Sequence, residues 1–164
     1  MYQNNPFSLM LSHLHHRPNA VAVLSGSDAY PQLIGEVRFY QLADSVLIAA
    51  EVSGLPMADA PCSESFFGFH IHSGTACSGN EEDPFADVQG HYNPGDCAHP
   101  HHAGDLPPLL GVEGNAFSAF LTDRFALRDV IGRTVIIHAM PDDFMTQPAG
   151  NAGMKIACGV IGRI

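Results

Sequence analysis

Basic residues are scarce in this sequence, and it has no long apolar run. Seven Lys and Arg stand against seventeen Asp and Glu, which gives a formal net charge of -10, and no Lys or Arg occurs between Arg38 and Arg124. Because nucleic acids are bound mainly through cationic side chains, this charge balance excludes a nucleic-acid partner. No apolar run approaches the roughly 18 residues that a transmembrane helix requires, so a membrane-spanning protein is excluded as well.

The amino-terminal segment lacks the pattern of a secretory signal. No basic residue precedes its apolar stretch, and Ser12 and His13 interrupt that stretch. A signal peptide is therefore not predicted, and we expect a cytoplasmic protein, or an exported one if a leader precedes this sequence. Residues 1–18 are expected to form a flexible, histidine-containing tail, and residues 19–164 a single domain.

The rest of the sequence favours an all-β domain with long loops. The chain contains sixteen glycines and twelve prolines, and Val37 and Phe39 alternate with Glu36 and Arg38 in the period of a strand with one solvent-facing side. Strand patterns occur at 20–24, 34–40, 45–52, 65–72, 115–122, 132–139 and 154–162. We expect about eight strands in a Greek-key barrel or sandwich of immunoglobulin-like architecture.

Two long segments between the predicted strands lack any apolar period. They are residues 73–106 and residues 140–153. Structureless loops of the first length are unusual inside a compact domain and are most often functional. Functional residues are therefore expected in and beside them.

Histidine is unusually frequent, and seven of the ten histidines fall between His70 and His138. His70 and His72 are two residues apart on a predicted strand, so their rings share one face. That pair alone fits a metal site and two polar residues on a wet face equally well. The donors that the loop and a later strand add decide the matter, and they are His91, His99, His101, His102, Asp105 and His138.

These donors exceed the needs of one ion, so two ions are predicted. His91, His99, His102 and Asp105 have a spacing that can wrap an ion in a closed structural site. The strand histidines then suit a second, open site, and imidazole is a ligand that both zinc and copper accept.

Five motifs stand in the order found in the copper-zinc superoxide dismutases, and the sequence resembles that family from about Ala20 to Gly162. The motifs are GFHIH (68–72), GHYNP (90–94), HAGDL (102–106), GRTVIIH followed by PDD (132–143), and GNAG with ACGVIG (150–162). The resemblance implies a homodimeric enzyme that converts two superoxide anions and two protons to dioxygen and hydrogen peroxide by Cu(II)/Cu(I) cycling, with a structural zinc ion.

The resemblance also implies a role for each site residue. It assigns copper to His70, His72, His91 and His138, and zinc to His91, His99, His102 and Asp105. His91 is then the bridge between the ions and a catalytic proton carrier. Asp142 resembles the carboxylate that hydrogen-bonds one ligand of each ion, and Cys77 and Cys158 match the family's disulfide.

The sequence departs from the family where cations should attract superoxide. Lys155, the only lysine, stands where the family has an active-site arginine, and the segment between His138 and Lys155 is short and contains no cation. Because an ammonium lacks the fixed fork of a guanidinium, we expect Lys155 to be catalytic but activity to be lowered. The alternative function is a copper- or zinc-binding protein on the same fold that buffers or delivers metal.

Several residues keep two interpretations at this level. Cys62 and Cys97 could form a second disulfide or be free thiols. His101 could compete with His102 as a ligand, although a solvent-facing ring is favoured. The cluster His13, His15 and His16 could bind metal weakly, although a solvated tail is favoured, and Met140, Met145 and Met154 could be soft ligands, although packing against the barrel is favoured. Phe66, Phe67 and Phe69 are expected to be core and interface residues, and Glu81, Glu82 and Asp83 a solvated loop tip.

Overall fold

The structure is a computed structural model that describes residues 12–57 and 65–164. Its secondary structure is almost entirely β, as predicted. The strands are β1 Ala20–Gly26, β2 Ile34–Gln41, β3 Val46–Ser53, β4 Phe66–Phe67, β5 Phe69–His72, β6 Leu109–Leu110, β7 Asn115–Thr122, β8 Thr134–His138 and β9 Lys155–Arg163. A 3-10 turn covers Ala86–Val88, and a short helix, α1, covers Leu127–Val130. Neither is long or apolar enough to cross a bilayer.

Seven of the strands form one antiparallel sheet that curls into a half-barrel, in the order β5-β8-β9-β1-β2-β3-β7. The remaining two, β4 and β6, form a separate ribbon, and β6 lies against β7 at the sheet's edge. The neighbours β1 with β9 and β3 with β7 are distant in sequence, which is the connectivity of a Greek key. The predicted fold class is therefore confirmed.

Alternation along β2 shows how the sequence directs burial. Val37 and Phe39 are fully buried in the core, whereas Glu36 and Arg38 face outward and Arg38 pairs with Glu36 and Glu51. Residues 12–18 of the predicted tail are described, and in them Leu14 packs on the outer face of the sheet. Residues 1–11 lie outside the described part of the chain.

The predicted strand 65–72 is split at Gly68, and the short strand β6 had no counterpart among the seven predicted strand patterns, so the described ranges contain nine strands. A side chain there would lie 2.8 Å from the Ala152 Cβ and 3.2 Å from the His138 Cβ. The Gly68 N–H donates to Met140, and its carbonyl accepts the His138 N–H. Because of this close packing on residues 140–153, β5 stays in the main sheet whereas β4 pairs with β6. Strand β6 has only two residues, which are too few to show an alternating pattern in the sequence.

The segment 73–106 contains no strand, as predicted, and two kinds of contact attach it to the sheet. A disulfide joins Cys77 to Cys158 in β9. Residues 91–92 and 104–105 pair with the free edge of β5 through isolated bridges and backbone hydrogen bonds. The long loop is thereby held beside the strand that contains His70 and His72. Cys97 is an exposed free thiol, and Cys62 lies outside the described residues.

Candidate metal centre

Four buried histidines converge where β5 and β8 meet the long loop. His70 and His72 project from β5, His138 ends β8, and His91 comes from the loop. One ring nitrogen of each lies within 4.8 Å of those of the others. We call these residues the first donor group.

Hydrogen bonds fix which nitrogen each strand histidine turns inward. The Nδ1–H groups of His72 and His138 donate to the carbonyls of Gln89 (2.7 Å) and Gly153 (3.1 Å). Their Nε2 atoms are therefore unprotonated and lie 3.3 Å apart. His70 is turned the other way, because its Nε2–H donates to Asp142 at 2.8 Å and leaves Nδ1 buried without a partner.

The second donor group is built by the long loop alone. It consists of His91, His99, His102 and Asp105, all of them buried, with donor atoms within 4.8 Å of one another. The Asp105 carboxylate lies 2.7 Å from His91 Nδ1, 3.1 Å from His99 Nδ1 and 3.3 Å from His102 Nδ1. It also accepts the backbone N–H of His102, so the loop curls around this carboxylate.

His91 belongs to both groups. Its Nδ1 faces Asp105 and His102, at 2.7 Å and 3.4 Å. Its Nε2 is buried and has no hydrogen-bond partner, and the centre of its ring lies 3.9 Å from that of His70 in the first group, with the ring planes tilted by 34°. One imidazole therefore presents a nitrogen to each set of donors.

Three buried ring nitrogens have no hydrogen-bond partner among the described residues: His70 Nδ1, His91 Nε2 and His99 Nδ1. Leaving such atoms unpaired is unfavourable, and all three point into the donor groups, so a cation in each group supplies the missing partners. Four imidazole nitrogens suit Cu(II), whereas three imidazoles and a carboxylate suit zinc. The residues present therefore fit a copper ion and a zinc ion.

Burial keeps three histidines of the first group, His70, His72 and His138, neutral, the state in which imidazole binds a metal. Burial lowers the pKa of His70 despite its bond to Asp142. Burial and the neighbouring rings of His138 and His91 hold the pKa of His72 well below its ordinary value. Burial, aided by the proximity of the His70 ring, lowers the pKa of His138 to about 3.

A family comparison agrees with this geometry. The family model described as copper/zinc superoxide dismutase (SODC) matches residues 33–161. The chain belongs to the copper/zinc superoxide dismutase family. In this chain the donor residues come from two histidines on one strand, a histidine-rich loop and a later strand histidine, and hydrogen bonds of the chain itself orient them.

Relatives in three bacteria are similar over most of their length. A Cu-Zn superoxide dismutase of Legionella pneumophila is 37% identical over 139 residues, which cover 80% of this chain and 79% of the relative. Cu-Zn superoxide dismutase 2 of Aquifex aeolicus is 34% identical over 145 residues, with coverages of 79% and 80%. The Deinococcus radiodurans enzyme is 32% identical over 152 residues, with coverages of 81% and 79%.

Asp142 links the two donor groups of this superoxide dismutase family member. Its two carboxylate oxygens accept the Nε2–H of His70 and the Nε2–H of His99, each at 2.8 Å. Burial alone would raise the pKa of Asp142, but these bonds and the Phe144 N–H lower it below its ordinary value. Gly150 is required beside it, because a Cβ there would lie 2.0 Å from Oδ1 and φ is +66°.

Lys155 opens β9 directly opposite His138 in the strand ladder. Its ammonium forms an ion pair with Asp83, which lies at the tip of the long loop. Opposed residues in antiparallel strands share one face of the sheet, so the Lys155 side chain starts next to the first donor group. Asp83, part of the acidic tip that the sequence predicted to be solvated, is thus an ion-pair partner of Lys155.

Two residues that hold the second donor group were missed in the sequence. Arg124 Nη1 donates to the carbonyls of Pro100, His102 and Asp105, each at 3.2 Å. The Gln147 amide accepts from the His99 N–H and donates to the His99 carbonyl. No sequence pattern identifies either residue, because both bind backbone groups that are distant along the chain.

The remaining candidates lie outside both donor groups. His101 is exposed beside His102. The side chains of Met145 and Met154 are largely exposed, whereas that of Met140 is 43% exposed and lies against Gly153. Phe67 and Phe69 are core residues and Phe66 is half-exposed, while the rings of His13 and His16 lie 5.8 Å apart.

Proposed function

We propose that this protein is a superoxide dismutase with one copper and one zinc ion per chain. The observation that carries the proposal is the position of His91, whose two ring nitrogens face different donor groups. A protein that only stores metal has no need of one imidazole shared between two ions. Superoxide is the substrate named by the family and its relatives.

The inward nitrogens support a specific ligand set. Copper is assigned to Nδ1 of His70 and to Nε2 of His72, His91 and His138. Zinc is assigned to Nδ1 of His91, His99 and His102 and to an oxygen of Asp105. When bound, copper supplies the one-electron oxidation and reduction of superoxide, and zinc secures the far side of the His91 ring.

The chain's own residues hold and move protons around this chemistry. His91 is proposed to take a proton from solvent at Nε2 whenever that atom is not a copper ligand, and to deliver it to the product. Asp142 keeps the Nε2 atoms of His70 and His99 protonated, which fixes their inward nitrogens as ligands. Lys155 is proposed to attract the superoxide anion to a protein whose net charge is otherwise repulsive.

Homodimerisation is a further part of the proposal. Phe66 and Leu110 are opposite each other in the β4–β6 ribbon, and each is about half exposed. Phe117 on the adjoining strand β7 is 62% exposed. Large apolar side chains of this kind are typical of interfaces between subunits. Light scattering on Phe66→Glu tests it, since a dimer using this ribbon is expected to dissociate.

The experiment that tests the enzyme is metal analysis paired with dismutation rate per bound copper. Mass spectrometry of the native protein is expected to give one copper and one zinc per chain. His91→Gln is expected to lower the rate per copper at least about 100-fold, as loss of a proton carrier does. His101→Gln is the matched control, because His101 is exposed and belongs to neither donor group.

Electron paramagnetic resonance tests the shared imidazole without turnover. With Co(II) in the second donor group, the Cu(II) signal is expected to be broadened or lost in the native protein and restored in His91→Gln. A full copper site with negligible turnover would instead indicate a buffering or delivery protein. Zinc without copper would indicate a structural role, and either result would overturn the proposal.

A further inference from the structure

The tip of the long loop places three carboxylates at the side of the proposed copper site. Glu81, Glu82 and Asp83 line a cleft of about 520 Å³ together with Gly153 and Lys155. Gly153 is the residue whose carbonyl orients His138. The cleft therefore adjoins the copper site, and Lys155 is the one cation in the described chain that lines it.

Asp83 is fixed in place by the backbone of its own turn. Its Oδ1 accepts the N–H of Phe85 at 3.1 Å, and its N–H donates to the side chain of Asn80. Phe85 anchors the turn, because it is buried against Val88, Ile136 and Cys158. Oδ2 is left to face Lys155, so the ion pair is imposed by a rigid turn rather than by two mobile side chains.

This ion pair removes most of the attraction that Lys155 could exert. A neutralised ammonium has little field beyond its partner, and Glu81 and Glu82 beside it repel an anion. Partial burial raises the pKa of Asp83, but the hydrogen bonds from Lys155 and the Phe85 N–H hold this pKa below its ordinary value. Asp83 is therefore charged at neutral pH.

We infer that Asp83 is a positioning residue that holds Lys155 in an ion pair and thereby limits the capture of superoxide at copper. The inference rests on the proposed function and goes beyond it, since it assigns the rate restraint to one carboxylate. Removing that charge is expected to release Lys155 toward the incoming anion. The substitution is not expected to change the metal-binding residues or the fold.

The test compares Asp83→Asn with Glu82→Gln, which removes a neighbouring charge that does not contact Lys155. For Asp83→Asn the rate per bound copper is expected to rise about two- to fourfold at low ionic strength, the size of one unit charge acting through water over about 8 Å. Near 0.2 M salt the gain should fall below about 1.6-fold, because the Debye length is then about 7 Å. Glu82→Gln is expected to give less than half of this gain.

A double-mutant cycle isolates the role of Lys155. In a Lys155→Met background, Asp83→Asn is expected to have no more effect than Glu82→Gln. An equal gain with and without Lys155 would overturn the inference, because Asp83 would then act only through its own charge. Thermal unfolding of each variant shows whether the turn is intact, and Asp83→Ser also keeps an acceptor for the Phe85 N–H.

Azide binding to the Cu(II) protein, followed by visible absorption, gives a readout that needs no turnover. Its dissociation constant is expected to fall two- to fourfold in Asp83→Asn. In a Lys155→Met background, the same substitution is expected to change it no more than Glu82→Gln does. Unchanged rate and azide affinity in Asp83→Asn would refute the inference while leaving an active enzyme intact. A copper-loaded native protein without turnover would overturn the proposed function, and azide would still decide this inference.

Discussion

Replacing Asp142 by Asn is expected to affect metal binding differently in the two donor groups. The native carboxylate offers two acceptor oxygens, one to the Nε2–H of His70 and one to the Nε2–H of His99, both at 2.8 Å. Asparagine has nearly the same shape but only one acceptor, and its NH₂ group must face one of these donors. One histidine therefore loses its orienting bond and gains a repulsive contact.

We expect the substitution to lower zinc affinity more than copper affinity. A hydrogen bond to a charged group contributes about 1.5–3 kcal/mol, which corresponds to roughly a 10- to 100-fold change in affinity. His70 stays in place without Asp142, since it is paired with Ile136 in the strand ladder and bridged to Asp105. His99 has no strand around it, and beyond Asp142 the bonds that hold it are those of Gln147 to its backbone.

The assay is competition between the metal-free protein and a chelator of known affinity, with zinc and copper titrated separately. Asp143→Asn is the matched control, because it makes the same charge change one residue away. Asp143 is bonded to Met145 and Thr146 and to neither donor group. The control is expected to change either affinity less than about twofold.

Two results would refute the reasoning. Equal losses of zinc and copper affinity would show that the strand does not hold His70 independently of Asp142. Unchanged affinities in Asp142→Asn would show that the carboxylate does not orient the ligands at all. Circular dichroism of the metal-free variant separates either result from a loss of folding.

Three other outcomes are expected. Arg124→Met should lower zinc affinity about tenfold by releasing three carbonyls of the loop, and an unchanged chelator titration would contradict this. In the metal-free protein, the unfolded chain protonates its histidines below about pH 6.5 while His138 stays neutral to about 3. The free energy of unfolding should therefore decrease as the pH is lowered, by about 1.4 kcal/mol per pH unit for each such histidine. In His138→Asn, the slope of this free energy against pH, measured by urea unfolding, should be smaller by the equivalent of one proton. Replacing Cys77 and Cys158 by Ser opens an 81-residue loop and should lower the free energy of unfolding by about 4–5 kcal/mol, and a urea-derived loss under about 2 would contradict it.

Local patterns in the sequence were sufficient for the fold class and for most of the donor residues. Period-two alternation at Val37 and Phe39 depends only on neighbouring residues, and so does the shared face of His70 and His72. The density of donors after His72 likewise indicated two ions. The roles of individual ligands came from the family resemblance, because spacing along a loop does not determine which nitrogen turns inward.

Tertiary structure alone decided the contacts between residues that are remote along the chain. The split at Gly68 arises from packing on Ala152 and His138, which no strand pattern in residues 65–72 could reveal. Arg124 holds the loop through backbone carbonyls, and those atoms leave no trace in residue identity.

The same limit applies to the charges around copper. From the sequence, Lys155 was an isolated cation and Asp83 part of a solvated tip, and 72 residues separate them. Sequence by itself determined which groups are present and how neighbours on a strand are oriented, since those depend on local geometry. The folded chain decided which charge meets which, because electrostatic interactions depend on distance in space and not on separation along the chain.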